Sequence, residues 1–392
     1  MGLPAAALVA LAAALSASAG DVAPPPLFDI TAGSLREAGT QQGRLAGTRI
    51  RAWLASPEMT RLVAFAHGDG SGAFQAFKRD NSAEFPEYVD EMRGIAEGAG
   101  VELDSIWCLN LIAELESLMG KRSSGHCSDV YAISPTGYAG GFVHGHNEDW
   151  PGVVHELWYF VKYTALPGAG FESCAGMVYP GTMIGWTPGW NARGLYMTMN
   201  SLYPKQTRSS GLSSAFIQRE ALCSRSSVAG GLDAAVATLS RKGWAAAASV
   251  NLVDFRARRM ASVETHEDEH AVREVTEAMG NYSHFNMYKN LRPGVVDSPS
   301  ASTLHRQARL DALPAPRGLG DVVSRLSDTA DAEYPVFRVY TLGTFVLDGA
   351  SGVLRTWCCN HSAASGPPVY TWSLSSFWEA GRNSSAYTVV FA

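Results

Sequence analysis

Cys127 stands in the segment Ser123-Ser124-Gly125-His126-Cys127-Ser128-Asp129-Val130, where a short polar loop turns into a strand-like run. Cysteine is a nucleophile only as thiolate, so it needs a base nearby. Its neighbours offer His126, Asp129 and, once the chain is cut before it, its own α-amine. The ordinary pKa of such an amine, about 7.7 to 8.0, suits proton transfer near neutral pH. A second cluster, His144-Gly145-His146-Asn147-Glu148-Asp149-Trp150, closes the next strand. Hairpin pairing would bring the two clusters together, and Asp149 could then hold the amine of a terminal Cys127 as an aspartate orients a catalytic imidazole. His144, His146 and Glu148 alternate onto one strand face and are zinc-compatible side chains. Neither a further ligand set nor a helical H-E-x-x-H accompanies them, so no metal and no cofactor is expected.

Further on, a glycine-punctuated run from Tyr179-Pro180-Gly181 to Asn200 carries Asn191 at a turn. An asparagine amide is an effective oxyanion donor, worth about 2.7 to 4 kcal/mol in comparable sites. The plainer reading is that Asn191 supplies a left-handed turn before Gly194.

The elements that must position these groups change period along the chain. Tyr88, Met92, Ile95 and Ala99 recur at helical spacing, then Trp107, Leu111, Leu115 and Leu118, with Pro86 at a first turn, Asp104 as a cap and Gly120 as a stop. From Cys127 to Asn200 short strands and turns predict antiparallel hairpins. Helices are expected around Ala215 to Cys223, Val228 to Ser240, Ala271 to Ala278 and Ser302 to Leu313. Strands return at Val336 to Leu347 and Gly352 to Cys358. Antiparallel sheets each carrying helices on one face predict an α+β, four-layer α/β/β/α sandwich.

Residues 1–19 read as a signal peptide, with an apolar run from Ala5 to Leu15 and small residues ending Ala17-Ser18-Ala19. Sequons at Asn281, Asn360 and Asn383 agree with a secreted or lumenal glycoprotein. The six cysteines leave pairing open, with the adjacent Cys358 and Cys359 unsuited to bonding each other in an ordinary strand. A net charge of -6, with no basic run interleaved with aromatics, argues against nucleic acid. No apolar stretch after the first twenty residues is long enough to cross a bilayer.

With Cys127, the His146 to Trp150 run and the Tyr179 to Asn200 run in view, the chain resembles the isopenicillin N acyltransferase family of N-terminal-nucleophile proteins, a group that includes β-alanyl-dopamine hydrolase-like proteins. The likeness extends over Thr40-Gln41-Gln42-Gly43-Arg44, Pro86 to Val101, Ser302 to Leu310 and Thr341 to Asp348. It implies an α chain of residues 20–126 cut after His126 and a β chain of residues 127–392 that stay together. It implies Cys127 as nucleophile, its freed amine as base, Asp149 as orienter, Asn191 in the oxyanion hole and Arg306 as an active-site arginine, with Asn147 inside the shared motif. The implied substrate is a small acyl or aminoacyl amide of β-alanyl type, cleaved through a thioester. A lipid amidase or phospholipase-B-like hydrolase and an inactive secreted glycoprotein are the alternatives. Two departures stand out. His126 occupies the place of a glycine before the cysteine. In Asn281-Tyr282-Ser283-His284-Phe285-Asn286, His284 and Phe285 fit the expected motif, whereas Ser283 stands where an asparagine is expected, leaving Asn286 or Ser283 as second oxyanion donor, or none.

Overall fold

The computed structural model describes residues 23–120, 127–204, 207–291, 299–378 and 387–389. The expected signal segment, His126 at the expected cut and the Asn383 sequon lie outside the described residues.

The N-terminal part is one strand followed by helices: β1 (Leu27–Ala32), α1 (Leu35–Leu54), α2 (Pro57–His67), α3 (Ser71–Glu84), α4 (Pro86–Ala99), α5 (Leu103–Asn110) and α6 (Ile112–Leu118). α1 and α4 cross at close range where glycines of each meet the backbone of the other. A Cβ at Gly43 would lie 2.3 Å from the Ile95 carbonyl oxygen, and one at Gly98 would lie 2.2 Å from that of Thr40. The Thr40-to-Arg44 and Gly94-to-Gly98 motifs are therefore a helix-crossing device. Pro86 opens α4 as expected. The single helix expected through Leu118 is broken at Leu111, which leaves the helical conformation. The break frees Asn110 to donate to the Gly181 oxygen and accept from the Met183 N–H, tying the helices to a loop beside the candidate site. Asp104 does not cap: it lies inside the first turn, 2.5 Å from the Lys78 ammonium.

Next come β2 (Ser128–Ile133), β3 (Phe142–Asp149), α7 (Val154–Leu157), β4 (Tyr159–Ala165), β5 (Cys174–Val178), β6 (Gly189–Asn191) and β7 (Leu195–Ser201). They are followed by α8 (Ser214–Cys223), α9 (Arg225–Ala229), α10 (Gly231–Leu239), β8 (Ala248–Asp254), β9 (Arg259–His266), β10 (Glu269–Val275) and β11 (Asn281–His284). The chain continues through α11 (Ala301–Asp311), α12 (Leu319–Leu326), β12 (Thr341–Asp348), β13 (Val353–Cys358), β14 (Tyr370–Ser373) and β15 (Tyr387–Val389). The helix expected over Ala271 to Ala278 is instead strand β10. It pairs with β9 at the sheet edge with His270, Arg273 and Glu274 exposed. An edge strand with charges on both faces lacks the alternation that marks a half-buried strand.

One sheet runs β1-β4-β5-β6-β7-β8-β9-β10, the other β11-β2-β3-β12-β13-β14-β15. Only the β1–β4 pairing is parallel among those described. The sheets face each other, as Phe160 against Phe345 and Trp372, and Trp190 against Trp372, attest. α12 covers the outer side of β2, β3 and β12 through Val322 and Leu326, while α8 and α10 cover β6 to β9 on the far side. Stacking of Trp107 on Phe216, ring centres 5.4 Å apart, joins the N-terminal helices to α8. The result is the four-layer α/β/β/α sandwich that the sequence predicts. A Cys174–Cys223 disulfide staples β5 to α8.

Candidate active site

β2 begins immediately after Cys127, and its register with β3 sets Ser128 opposite Asn147 and Asp129 opposite His146. Alternation along the two strands then sorts the side chains. Cys127, Asp129, His144, His146 and Glu148 point between the sheets, whereas Ser128, Asn147 and Asp149 point toward α11 and α12.

On the inward face the Cys127 thiol, 3% exposed, donates to Glu148 Oε1 at 3.7 Å. Cys127 Sγ, a His146 ring nitrogen and a Glu148 carboxylate oxygen all lie within 4.8 Å of one another. Tyr179 Oη donates to the same Glu148 oxygen at 2.5 Å, and His146 Nε2 contacts Oε2 at 3.0 Å. Burial first, then the Glu148 charge, push the thiol up to about 12, so in the uncut chain it is a thiol and not a thiolate.

His146 Nδ1 lies 2.9 Å from Asp129 Oδ2. Asp129 also takes His144 Nε2 at 2.7 Å, the Thr198 hydroxyl at 2.6 Å and the Asn200 amide at 2.7 Å. Burial alone would raise this carboxyl, but the positive charge on His146 and the hydrogen bonds from both histidines hold it well below the usual carboxylate range. The two histidines are driven apart. Burial would lower both; His146, between two carboxylates, is raised well above its ordinary value, whereas burial prevails at His144. The positive charge is therefore favoured on His146, and His144 as a neutral ring donates its Nε2–H to the Asp129 carboxylate. Asn200 Oδ1 extends the network to His284 Nδ1 at 3.0 Å, whose Nε2 meets Glu264 Oε1 at 2.9 Å. The structure thus places His284 in the polar layer between the sheets, on Asn200 and Glu264 of the first sheet.

On the outward face Asp149 accepts from the Thr341 hydroxyl at 2.6 Å and faces Arg338 Nε at 3.4 Å. Burial raises its carboxyl, opposed by Arg338. Arg306 of α11 is fully buried, its guanidinium 5.0 Å from the Phe285 ring centre. It donates to the Cys127 carbonyl oxygen at 2.6 Å, the Ser128 hydroxyl at 2.9 Å and Asn286 Oδ1 at 2.9 Å. Burial and the nearby Arg338 push it down to about 10, still a cation at neutral pH.

The asparagines divide sharply. Asn147 donates to the Leu326 and Val336 oxygens and accepts from Thr344, anchoring α12 to the sheet. Asn191 donates to the Leu222 oxygen and accepts from the Arg193 and Leu195 N–H groups. Its side chain thus builds the β6–β7 turn, with one of its two amide hydrogens committed to the Leu222 oxygen. Asn286 donates to the Ser201 oxygen and is linked to Cys127 through Arg306. Ser283 pairs with Val130 and turns its hydroxyl toward Gln307, away from the thiol. Asn281 is half-buried at the start of β11, and Asn360 is exposed in a left-handed turn after β13.

Sequence reasoning weighed Glu148 and His146 only as metal ligands and gave Tyr179 no role. The signal for them was the alternation of the 144–149 segment, which places Glu148 and Asp149 on opposite faces. Together the inward groups can hold a proton beside a nucleophile and move it.

Residues 138–356 match the family described as acyl-coenzyme A:6-aminopenicillanic acid acyl-transferase. The match takes in β3, Tyr179 and Arg306 but begins 11 residues after Cys127 (138 minus 127). The chain is 26% identical over 335 residues to the Drosophila melanogaster beta-alanyl-dopamine/carcinine hydrolase, covering 79% of this chain and 84% of the relative. Weaker overall likenesses are to a Caenorhabditis elegans N-acylethanolamine-hydrolyzing acid amidase ortholog (12% identity, 67% of this chain and 100% of that one, TM-score 0.42). The conjugated bile acid hydrolase of Clostridium perfringens follows (10% identity, 59% of this chain and 89% of that one, TM-score 0.35). The family match spans more than half of the chain: this protein belongs to the acyl-coenzyme A:6-aminopenicillanic acid acyltransferase family.

Proposed function

We propose that this chain is a self-processing N-terminal cysteine amidohydrolase that cleaves a small acyl or aminoacyl amide, of β-alanyl type, through a thioester on Cys127. The observation that carries the reading is the position of Cys127. It lies at the head of β2, its carbonyl fixed by Arg306 and its thiol turned into a buried acid and imidazole cluster. A cut before Cys127 would turn its peptide nitrogen into an amine on the residue that carries the thiol, so nucleophile and base would come from one residue.

In this reading Arg306 is a positioning residue, and Asn286, its partner, supplies an oxyanion donor in preference to Ser283. Asp149 holds the freed amine from the outward face, where Arg338 and Thr341 already fix its carboxylate. The α and β chains, residues 20–126 and 127–392, stay together because the strands of both share one sheet, β1 pairing with β4. The signal segment, secretion and glycosylation at Asn281, Asn360 and Asn383 belong to the same proposal, and the Cys174–Cys223 disulfide agrees with an oxidising compartment. The aminoacyl substrate draws its support from the Drosophila relative.

The test is turnover of a panel of amides by the purified protein. Hydrolysis of β-alanyl amides that is lost in Cys127→Ala is the expected result. Strict preference for long fatty acyl amides would replace the substrate class, and an intact chain without thiol-dependent turnover would leave an inactive relative on this fold.

A further inference from the structure

Self-cleavage poses a problem that later turnovers do not. While Cys127 is still inside the chain its nitrogen is a peptide nitrogen and has no lone pair available as a base. Some other group must take the thiol proton the first time.

We propose that Glu148 is the general base of this first turnover and has no substitute among the groups around the thiol. The proposal rests on the self-cleavage reading above.

The geometry sorts the candidates. His146 also neighbours the thiol, but both its ring nitrogens lie against carboxylates, Nδ1 on Asp129 and Nε2 on Glu148, so as a cation it donates at both and has no nitrogen left to accept the thiol proton. Asp129 is enclosed by the His144, His146, Thr198 and Asn200 donors. Tyr179 is a donor to Glu148. Asp149 lies on the other face of β3, held by Thr341 and Arg338. Glu148 Oε1 is the atom that accepts from the Cys127 thiol. Tyr179 and His146 hold this carboxylate in place, so it is aimed at the sulfur without freedom to turn away.

The step balances with water as the only co-reactant. The Sγ–H bond breaks as its proton passes to Glu148 Oε1, and the sulfur electron pair forms the Sγ–C bond to the carbonyl carbon preceding Cys127. The tetrahedral adduct collapses by breaking the C–N bond, and the departing Cys127 nitrogen takes the proton back from Glu148. A thioester and a primary amine result. Water then opens the thioester, restoring the thiol and leaving a carboxylate on the upstream chain. From that point the amine is available as base, and Glu148 is needed as base only once per molecule.

The test follows cleavage of the full-length precursor in time by mass and by N-terminal sequencing, for wild type, Cys127→Ala, Glu148→Gln and Glu148→Ala, with disulfide formation and circular dichroism as checks on folding. Wild type is cut before Cys127 and Cys127→Ala is not. Glu148→Gln is cut at least ~100-fold more slowly, the span of a lost general base. Added formate restores cutting to Glu148→Ala by occupying the vacated carboxylate position. Cutting of Glu148→Gln at the wild-type rate overturns the assignment while leaving self-cleavage standing. A folded Glu148→Ala that formate fails to rescue overturns it as well, because Glu148 would then act only by shaping the site. A wild-type chain that is never cut removes the reading on which the assignment rests.

Discussion

The inward and outward faces of the β2–β3 hairpin use the same residue types to opposite ends. Outward, Asp149 is matched by Arg338 and Thr341, and Arg306 by main-chain and side-chain oxygens of Cys127, Ser128, Asn286 and Ser302. Charge meets opposite charge or a fixed dipole, and the outcome is rigidity. Inward, the Glu148 carboxylate is set against a thiol that it disfavours ionising, and His146 is a cation held between two acids. Such an arrangement keeps the sulfur of the uncut chain a thiol, with hydrogen-bonded acids and an imidazole beside it. One face holds the main chain of Cys127 still, and the other governs its sulfur.

Substitutions that act on one face and spare the other break this division most clearly. The largest effect is expected for Cys127→Ala, which should abolish both chain cleavage and amide turnover, a loss of at least ~10³-fold in single-turnover assays. Next is Asp129→Asn. It removes one of the two carboxylates that hold the His146 cation and leaves only Glu148, and should lower unfolding free energy by ~3 kcal/mol in denaturant titration.

The pH dependence of this network has a defined sign. Asp129 sits far below its unfolded value of about 3.9, so its stabilisation is present above that pH and lost only as pH falls through the depressed folded value. His146 is raised, so its stabilisation is fully present below about 6.5 and lost as pH rises through the higher folded value. Melting of wild type against His146→Gln across pH should therefore show a gap that is widest on the acid side of neutrality and narrows in alkali.

On the outward face, Arg306→Lys keeps the charge but loses the fork that spans Cys127, Ser128 and Asn286. A cost of ~2 kcal/mol, read as slower cleavage and lower kcat with KM little changed, is the expected outcome. The smallest effect belongs to Asn191→Ala. With its amide engaged by Leu222, it should lose ~1 kcal/mol of stability and leave kcat per folded molecule unchanged. A kcat loss corresponding to about 2.7 to 4 kcal/mol would instead place Asn191 in the oxyanion hole.

Much of this was legible in residue order. The hairpin from Cys127 to Asp149 follows from alternation and a Pro135-Thr136-Gly137 turn, and the strand run to Asn200 from the same pattern. Less legible was the choice between adjacent acids. Glu148 and Asp149 are neighbours in sequence, and only the register against β2 sends one toward the sulfur and the other toward Arg338. Asn191 and Asn286 likewise differ by their surroundings: the first meets the carbonyl of Leu222 at the end of α8, the second the guanidinium from α11. Strand β10 was hidden because an exposed edge loses the period that a core imposes. Helix α1 carries Gly39, Gly43 and Gly47 at its crossing with α4, so the apolar stripe that marks a helix is weak there.

The central claim is that Cys127 becomes a chain terminus. Mass spectrometry of the purified, active protein measures this directly: the account predicts two chains, the larger beginning at Cys127 and running 266 residues to Ala392 (392 minus 126). A single uncut chain that hydrolyses amides, or a cut that leaves Cys127 inside a chain, would contradict it.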